Sequence, residues 1–392
     1  MNKERLFSQL QIISPKLYHS VARKIKFNQH SAKDNKDYDL NNVGFPSSIT
    51  ILPTLKCNLR CGMCWWWGDR GIAFKYTEEK NPIIYNELTY EEIVNILQYA
   101  KSWHSGVMFI GGEIFVRKDM MDILELTKKM NIKVGIVTNG TRLSDENCEL
   151  LGKLDNLEIT ISIDGPQKIH DKIRGSGNYA RSLRSIESIA NAREKNHMPK
   201  ISTNTTVTPD LLGNLHTLIS ELQKINGLDL IRIQHLWFTN HTKAEAHKLE
   251  IKREFGIDDD PGVEAHIIDG FVFTKEQVNQ LNLEIKSVEQ ERYKVPFRFY
   301  PPLIEQKLNS YYFDLDFSLQ GSCDVAFTEM LVQPDGTVKF CPDDWIADYK
   351  LGNLRDSSLA DIWYGEPAKK FREVLLRKRL FPACNRCCHI NM

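Results

Sequence analysis

Residues 49–64 read ITILPTLKCNLRCGMC. The apolar start, Ile49 to Leu52, reads as a short strand, and three cysteines follow it as Cys57-x3-Cys61-x2-Cys64. A cubane iron–sulfur cluster normally takes four thiolates, so a local set of three implies one iron left open for an exchangeable ligand. An open iron is a place where chemistry can happen. A structural zinc site favours two pairs of ligands, and no second pair lies close in sequence. Three unrelated buried thiols are the remaining alternative.

Outward from this stretch, short apolar segments alternate with longer ones of helical period. Strands are expected over Ser48–Leu55, Val107–Gly112, Lys133–Asn139, Leu157–Asp164, Ile201–Thr208 and Leu230–Trp237. Thr89–Trp103, Met120–Met130, Ala180–Lys195 and Leu211–Ile225 carry apolar residues at three- and four-residue steps and read as helices. Such alternation means a parallel sheet, and six units predict an α/β fold, a partial (β/α)6 TIM-like barrel. Functional groups in barrels gather where strands end, and Cys57, Glu113, Asn139 and Asp164 fall at such ends.

The expected organisation is an N-terminal helical segment, 1–47, then the partial barrel, 48–240. A connector or substrate-side insertion follows, 241–319, with a turn at Asp258–Gly262 and a helix over Thr274–Tyr293, and then a small cysteine-rich module, 320–392, with a hairpin turn at Pro334-Asp335-Gly336. The chain has 392 residues, with 51 basic and 51 acidic side chains and a formal net charge of zero. A balanced surface gives no electrostatic case for nucleic acid, and the basic run Lys16 to Lys26 reads as a solvated helix face. No apolar run reaches the length of a membrane span, and no signal peptide is apparent, so a cytoplasmic location is expected. There, nine cysteines are expected as metal ligands or thiols rather than disulfides. Cys148 reads as a core residue, and Trp65-Trp66-Trp67 as packing beside the cysteine loop.

The cysteine triad resembles the CX3CX2C motif of the radical SAM superfamily, and the resemblance runs over nearly the whole length from residue 48 onward. Gly111-Gly112-Glu113 is similar to the family's GGE motif, with Ile114 where proline often follows. The resemblance implies that this backbone and carboxylate hold the methionyl amino group of S-adenosylmethionine. Thr138-Asn139-Gly140 and Ser162-Ile163-Asp164-Gly165 resemble further strand-end motifs, and Ser162 and Arg174 the pair on the cofactor's carboxylate and ribose side. Taken singly, each has a plain alternative as a turn or a surface residue.

In the tail, Cys323-x12-Gly336-x4-Cys341 with Cys384-x2-Cys387 resembles the SPASM/twitch extension, as does residues 351–363, LGNLRDSSLADIW. The resemblance implies an auxiliary [4Fe–4S] cluster on Cys323, Cys341, Cys384 and Cys387. Zinc would be equally satisfied by four cysteines, and Cys388 or His389 could replace a ligand. The hairpin around Gly336 is expected to bring Cys323 and Cys341 together.

The implied activity is reductive cleavage of S-adenosylmethionine to a 5′-deoxyadenosyl radical, followed by hydrogen abstraction. The radical SAM [4Fe–4S] cluster, S-adenosylmethionine and the auxiliary cluster are the cofactors, and a flavodoxin or ferredoxin is the one-electron donor. The short stretch before the first strand tilts the expected substrate to a small molecule or carbohydrate, oxidised or rearranged with help from the auxiliary cluster. A ribosomal-peptide or protein-modifying maturase is the alternative, and a non-catalytic iron–sulfur carrier a remote one. No catalytic acid, base or hydrogen donor is identified.

Overall fold

The computed structural model describes residues 40, 42–68, 71–193, 198–258, 262–267, 273–303, 305–314, 316–319, 321–342, 346, 348–387 and 390–391. The expected N-terminal helical segment up to residue 39, the basic run within it, the centre of the turn at 259–261, and Cys388 and His389 lie outside these residues.

All six expected strands form: β1 (Ser48–Ile51), β2 (Gly106–Phe109), β3 (Val134–Thr138), β4 (Leu157–Ser162), β5 (Lys200–Val207) and β6 (Leu230–His235). Each pairs in parallel with the next, and helices such as Tyr90–Trp103, Met120–Lys129 and Asn178–Asn191 return the chain between them. The helix Tyr90–Trp103 shows how local sequence sets this pattern. Thr89 accepts the Glu92 N–H while the Glu92 side chain accepts the Thr89 N–H, a capping box at its start. Ile93, Ile96, Leu97 and Ala100 then share one buried face, each large side chain stabilising by about 1.5–3 kcal/mol. Cys148 is buried in the same core, as expected.

β4 and β6 alternate strictly. On β4 Leu157, Ile159 and Ile161 are buried against helices, while Glu158, Thr160 and Ser162 face the concave side of the partial barrel. On β6 Ile231, Ile233 and His235 are buried, and Arg232 and Gln234 face the lumen.

The sheet continues past both ends of this unit. β7 (Phe297–Tyr300), from the stretch expected as a connector, joins in parallel to β6. From the tail, β9 (Glu329–Val332) joins in parallel to β1, followed by β10 (Thr337–Lys339) and β11 (Gly352–Asn353). The order is β11-β10-β9-β1-β2-β3-β4-β5-β6-β7. The β9–β10 hairpin turns at the expected place: Gly336, at φ +82°, donates to Gln333 O, and only glycine takes that backbone easily. Arg355 of the LGNLRDSSLADIW stretch grips Glu92 with two contacts, at 2.6 and 3.0 Å, and the buried Trp363 donates to Gly44 O at 2.9 Å. The tail is thereby fastened to the barrel edge.

Candidate active site and iron–sulfur centres

The loop leaving β1 is shaped by backbone contacts that only glycine permits. A Cβ on Gly111 would lie 2.3 Å from Thr54 O, one on Gly112 2.2 Å from Lys56 O, and one on Gly68 2.5 Å from Cys64 O. Gly112 N–H donates to Thr54 O and Glu113 N–H to Lys56 O, at 3.1 and 2.9 Å. The two glycines therefore bring the end of β2 against the cysteine loop's own backbone, which fixes where the thiols emerge. Proximity to a ligand, the sequence expectation for these glycines, is a second use of the same close approach.

Two of the three sulfurs receive amide donors: Leu59 N–H to Cys57 Sγ at 3.4 Å and Trp67 N–H to Cys64 Sγ at 3.3 Å. Asn139 Nδ2 reaches Cys57 Sγ at 3.9 Å and donates to Asn58 Oδ1 at 3.0 Å. Burial, with the neighbouring Cys64 thiol adding to it, pushes the Cys57 thiol up to about 11 and the Cys61 thiol up to about 12. Arg174 opposes that rise at both. Among the described residues no three His, Cys, Asp or Glu side chains stand close enough to hold a single metal ion. A multi-iron cluster holds its thiolates farther apart than one zinc does. Three mutually interacting sulfurs on one loop, supplied with N–H donors of the kind that tune cluster potential, fit such a group.

The remaining expected site residues converge on this loop. The Glu113 carboxylate is buried and accepts from Thr138 Oγ1 (2.7 Å), Asn139 N–H (2.7 Å) and Phe115 N–H (3.2 Å). Burial raises its pKa, and the three donors oppose that. Asp164 is fully buried; it accepts from Arg174 Nε at 2.5 Å and from Thr206 N–H at 2.9 Å. Burial works against the Arg174 charge, but Asp164 and the thiols of Cys61 and Cys64 hold its pKa above the usual value. Among the described residues nothing accepts from the two Nη groups of Arg174. Ser162 stands at the end of β4 on the lumen face, in register with Asn204. A cleft lined by Gly62, Met63, Lys172, Ile173, Thr208 and Asp210 opens beside the cysteine loop.

Sequence reasoning passed over Asn58, Thr206 and His170, whose Nδ1 accepts the Asp164 N–H at 3.2 Å. Asn58 follows Cys57 and could have been flagged by position; the other two carry no local signal. Of the tryptophans, Trp66 is buried and Trp65 stacks on it at 4.5 Å and on His266 at 4.7 Å. They pack, as expected.

In the tail, Cys323 lies on β8 (Ser322–Cys323), which pairs with β12 (Ile390–Asn391) and not with the Gly336 hairpin. The hairpin joins β9 to β10, and Cys341 follows directly after β10. Cys323 meets the last pair: burial, then the thiols of Cys387 and Cys384, push its own well up. Cys387 N–H donates to Cys384 O at 3.1 Å, folding the Cys-x2-Cys pair into one turn. Cys341 follows β10 and packs against the main core. None of the described cysteines is in a disulfide.

A partial barrel whose strand ends surround three cysteines on one loop defines a class of iron–sulfur-dependent α/β enzymes. Residues 51–214 match the model of the Radical SAM superfamily and residues 323–388 that of the SPASM iron–sulfur cluster-binding domain. The chain belongs to the radical SAM superfamily and carries a SPASM domain. Its cofactors are S-adenosylmethionine, the [4Fe–4S] cluster that binds it, and an auxiliary iron–sulfur cluster.

Among similar proteins, the sporulation killing factor maturation protein SkfB of Bacillus subtilis is 29% identical over 149 residues, 38% of this chain and 33% of that protein. The mycofactocin maturase MftC of Mycolicibacterium smegmatis is 25% identical over 38% of this chain and 35% of its own. The match thus spans about a third of these maturases. The tungsten-containing aldehyde ferredoxin oxidoreductase cofactor-modifying protein of Pyrococcus furiosus is 23% identical over 85% of each chain. Of solved structures, Streptococcus suis SuiB bound to S-adenosylmethionine superimposes with a TM-score of 0.56 at 18% identity, over 84% of this chain and 68% of that one. SuiB bound to its precursor peptide SuiA gives 0.55. These likenesses confirm the fold. No helix of the described residues is long and apolar enough to cross a membrane.

Proposed function

We propose that this chain is a peptide maturase of the radical SAM superfamily. The observation that carries this reading is the set of relatives: SkfB and MftC are named as maturases, and SuiB shares the fold with a precursor peptide bound. The small-molecule or carbohydrate substrate favoured by the sequence finds less support. The relative matched over 85% of both chains is named as cofactor-modifying, and this favours modification of a non-peptide cofactor as the second reading.

In this proposal Cys57, Cys61 and Cys64 hold the first cluster, and Gly111, Gly112, Glu113, Asn139, Ser162, Asp164 and Arg174 enclose S-adenosylmethionine. When bound, this cluster would supply one electron for cleavage of S-adenosylmethionine, with methionine as the leaving group and 5′-deoxyadenosine, completed by a hydrogen atom from the substrate, as the countable product. Asp164 aims the Arg174 guanidinium so that its Nη groups are left to grip a carboxylate. Glu113 locks the ends of β2 and β3 beside the loop, and Trp65 and Trp66 help keep water from it. Cys323, Cys341, Cys384 and Cys387 would hold the auxiliary cluster, which would supply one-electron chemistry beside the substrate. A flavodoxin or ferredoxin supplies reducing electrons.

The test is anaerobic reconstitution followed by incubation with S-adenosylmethionine, a reductant and synthetic peptides. A peptide whose mass changes in step with 5′-deoxyadenosine supports the reading. Turnover of sugars or a pterin-type cofactor with all peptides inert would replace it with the second.

A further inference from the structure

The lumen face of the sheet carries a polar row that starts at Ser162 in the site and runs away from it. In register across β4, β5, β6 and β7 stand Ser162, Asn204, Arg232 and Arg298. Arg232 and Arg298 are direct neighbours. Because Ile231, Ile233, Phe297 and Phe299 fill the opposite, buried face, both arginines project to the concave side. A like charge directly opposite on the neighbouring strand is destabilising, so an anion at Arg232 would be stabilising.

The described residues do not supply one to Arg232. Its Nε is shielded from solvent and donates to no described group. Asp164, past the end of β4, is already taken by Arg174 and Thr206, and Glu158 on β4 faces Lys200 at 3.9 Å. Around Arg232 the row offers further polar contacts: Asn204 Nδ2 donates to Gln234 Oε1 at 3.4 Å, and Tyr300 is in register with Gln234. An arginine fork with neutral amide neighbours suits a planar carboxylate, which it grips in two places.

We infer that Arg232, with Arg298 beside it, forms a subsite for a carboxylate of the substrate, either an acidic side chain or a peptide C-terminus. The inference rests on the peptide reading and sharpens it. Two strand spacings separate Arg232 from Ser162, about 10 Å, which an extended peptide covers in about three residues. Anchoring one carboxylate there fixes which residue of the substrate reaches the cysteine-loop end of the lumen.

The test uses the reconstituted holoprotein, immobilised, and two C-terminally amidated peptide libraries that differ only in Glu or Gln at one scanned position, together with a free-acid and amide pair. Gluconate and glutarate serve as non-peptide carboxylate competitors. Wild-type protein should retain Glu over Gln peptides, or free acids over amides, by at least tenfold, the two comparisons distinguishing the two sources. Arg232→Gln should abolish the preference and Arg232→Lys should restore part of it. Circular dichroism and iron content confirm that the variants are folded. Peptides retained without any acid preference, or a preference that survives Arg232→Gln, would overturn the subsite and leave the maturase reading standing. Arg232-dependent binding of gluconate or glutarate with no peptide retained would keep the subsite and overturn the maturase reading. Retention of no peptide and of no carboxylate competitor would remove both. Loss of S-adenosylmethionine retention in place of the acid preference would assign the arginine to the cofactor and overturn the subsite.

Discussion

The carboxylate of Glu113, at the end of β2, accepts the backbone N–H of Asn139, at the end of β3, at 2.7 Å. Asn139 in turn reaches Asn58 and Cys57, so one buried carboxylate connects two strand ends to the cysteine loop. Glu113→Ala should therefore weaken S-adenosylmethionine binding by about 2 kcal/mol, the loss of a charge-assisted hydrogen bond, while iron content is kept. Titration of the cofactor under reducing conditions reads this directly. Equal affinity in variant and wild type would remove Glu113 from the site.

The Asp164–Arg174 pair is a contact between a fully buried carboxylate and a nearly buried guanidinium. Arg174→Gln leaves that carboxylate uncompensated, which costs about 3–5 kcal/mol. Thermal unfolding of the variant should shift down by several degrees, and adding Asp164→Asn should recover part of the loss. An unchanged midpoint in Arg174→Gln would mean that water already compensates Asp164.

His235 is buried at the end of β6 with Nδ1 against Tyr312 OH at 3.0 Å, and burial lowers its pKa from 6.5 to about 3. The fold keeps this ring neutral, whereas the unfolded chain protonates it. Its contribution to stability is thus complete above pH 6.5 and is lost as pH falls from 6.5 towards 3. By pH 5.5 wild type should have lost about 1.4 kcal/mol that His235→Gln does not lose. Denaturant midpoints at pH 7.5 and 5.5 check it, and parallel slopes for the two proteins would refute the assignment.

The six barrel strands and the convergence at their ends were legible because alternation of strands and amphipathic helices repeats over many residues, and because Cys57, Cys61 and Cys64 sit on one loop. The edges were not. β9 and β11, of four and two residues, stand outside the repeating alternation of strand and amphipathic helix, and nothing local says that β9 pairs with β1 across nearly the whole chain. Likewise β8 and β12 have two residues each, so the contact of Cys323 with Cys384 and Cys387 could not be read from spacing. The Gly336 turn was legible from Pro-Asp-Gly, but which strands it joined depended on pairings outside it. The position of Arg232 beside Arg298 depends on the β6–β7 register, set by a strand arriving after more than sixty residues of irregular sequence and helix.

In the tail, the double substitution Cys384→Ser/Cys387→Ser removes two of the thiols that meet Cys323. It should about halve the iron bound after reconstitution, since each cluster depends on its thiolates. S-adenosylmethionine cleavage should persist while substrate turnover fails. Zinc in the reconstituted tail, or full iron in the variant, would contradict the assignment.

The most direct measurement compares 5′-deoxyadenosine formation and iron content in wild type and in the triple variant Cys57→Ala/Cys61→Ala/Cys64→Ala, both reconstituted anaerobically with S-adenosylmethionine and reductant. Wild type should form the product; the triple variant should lose one cluster's worth of iron, keep the tail cluster and form none. Undiminished 5′-deoxyadenosine from the triple variant would contradict the placement of the reactive cluster on this loop.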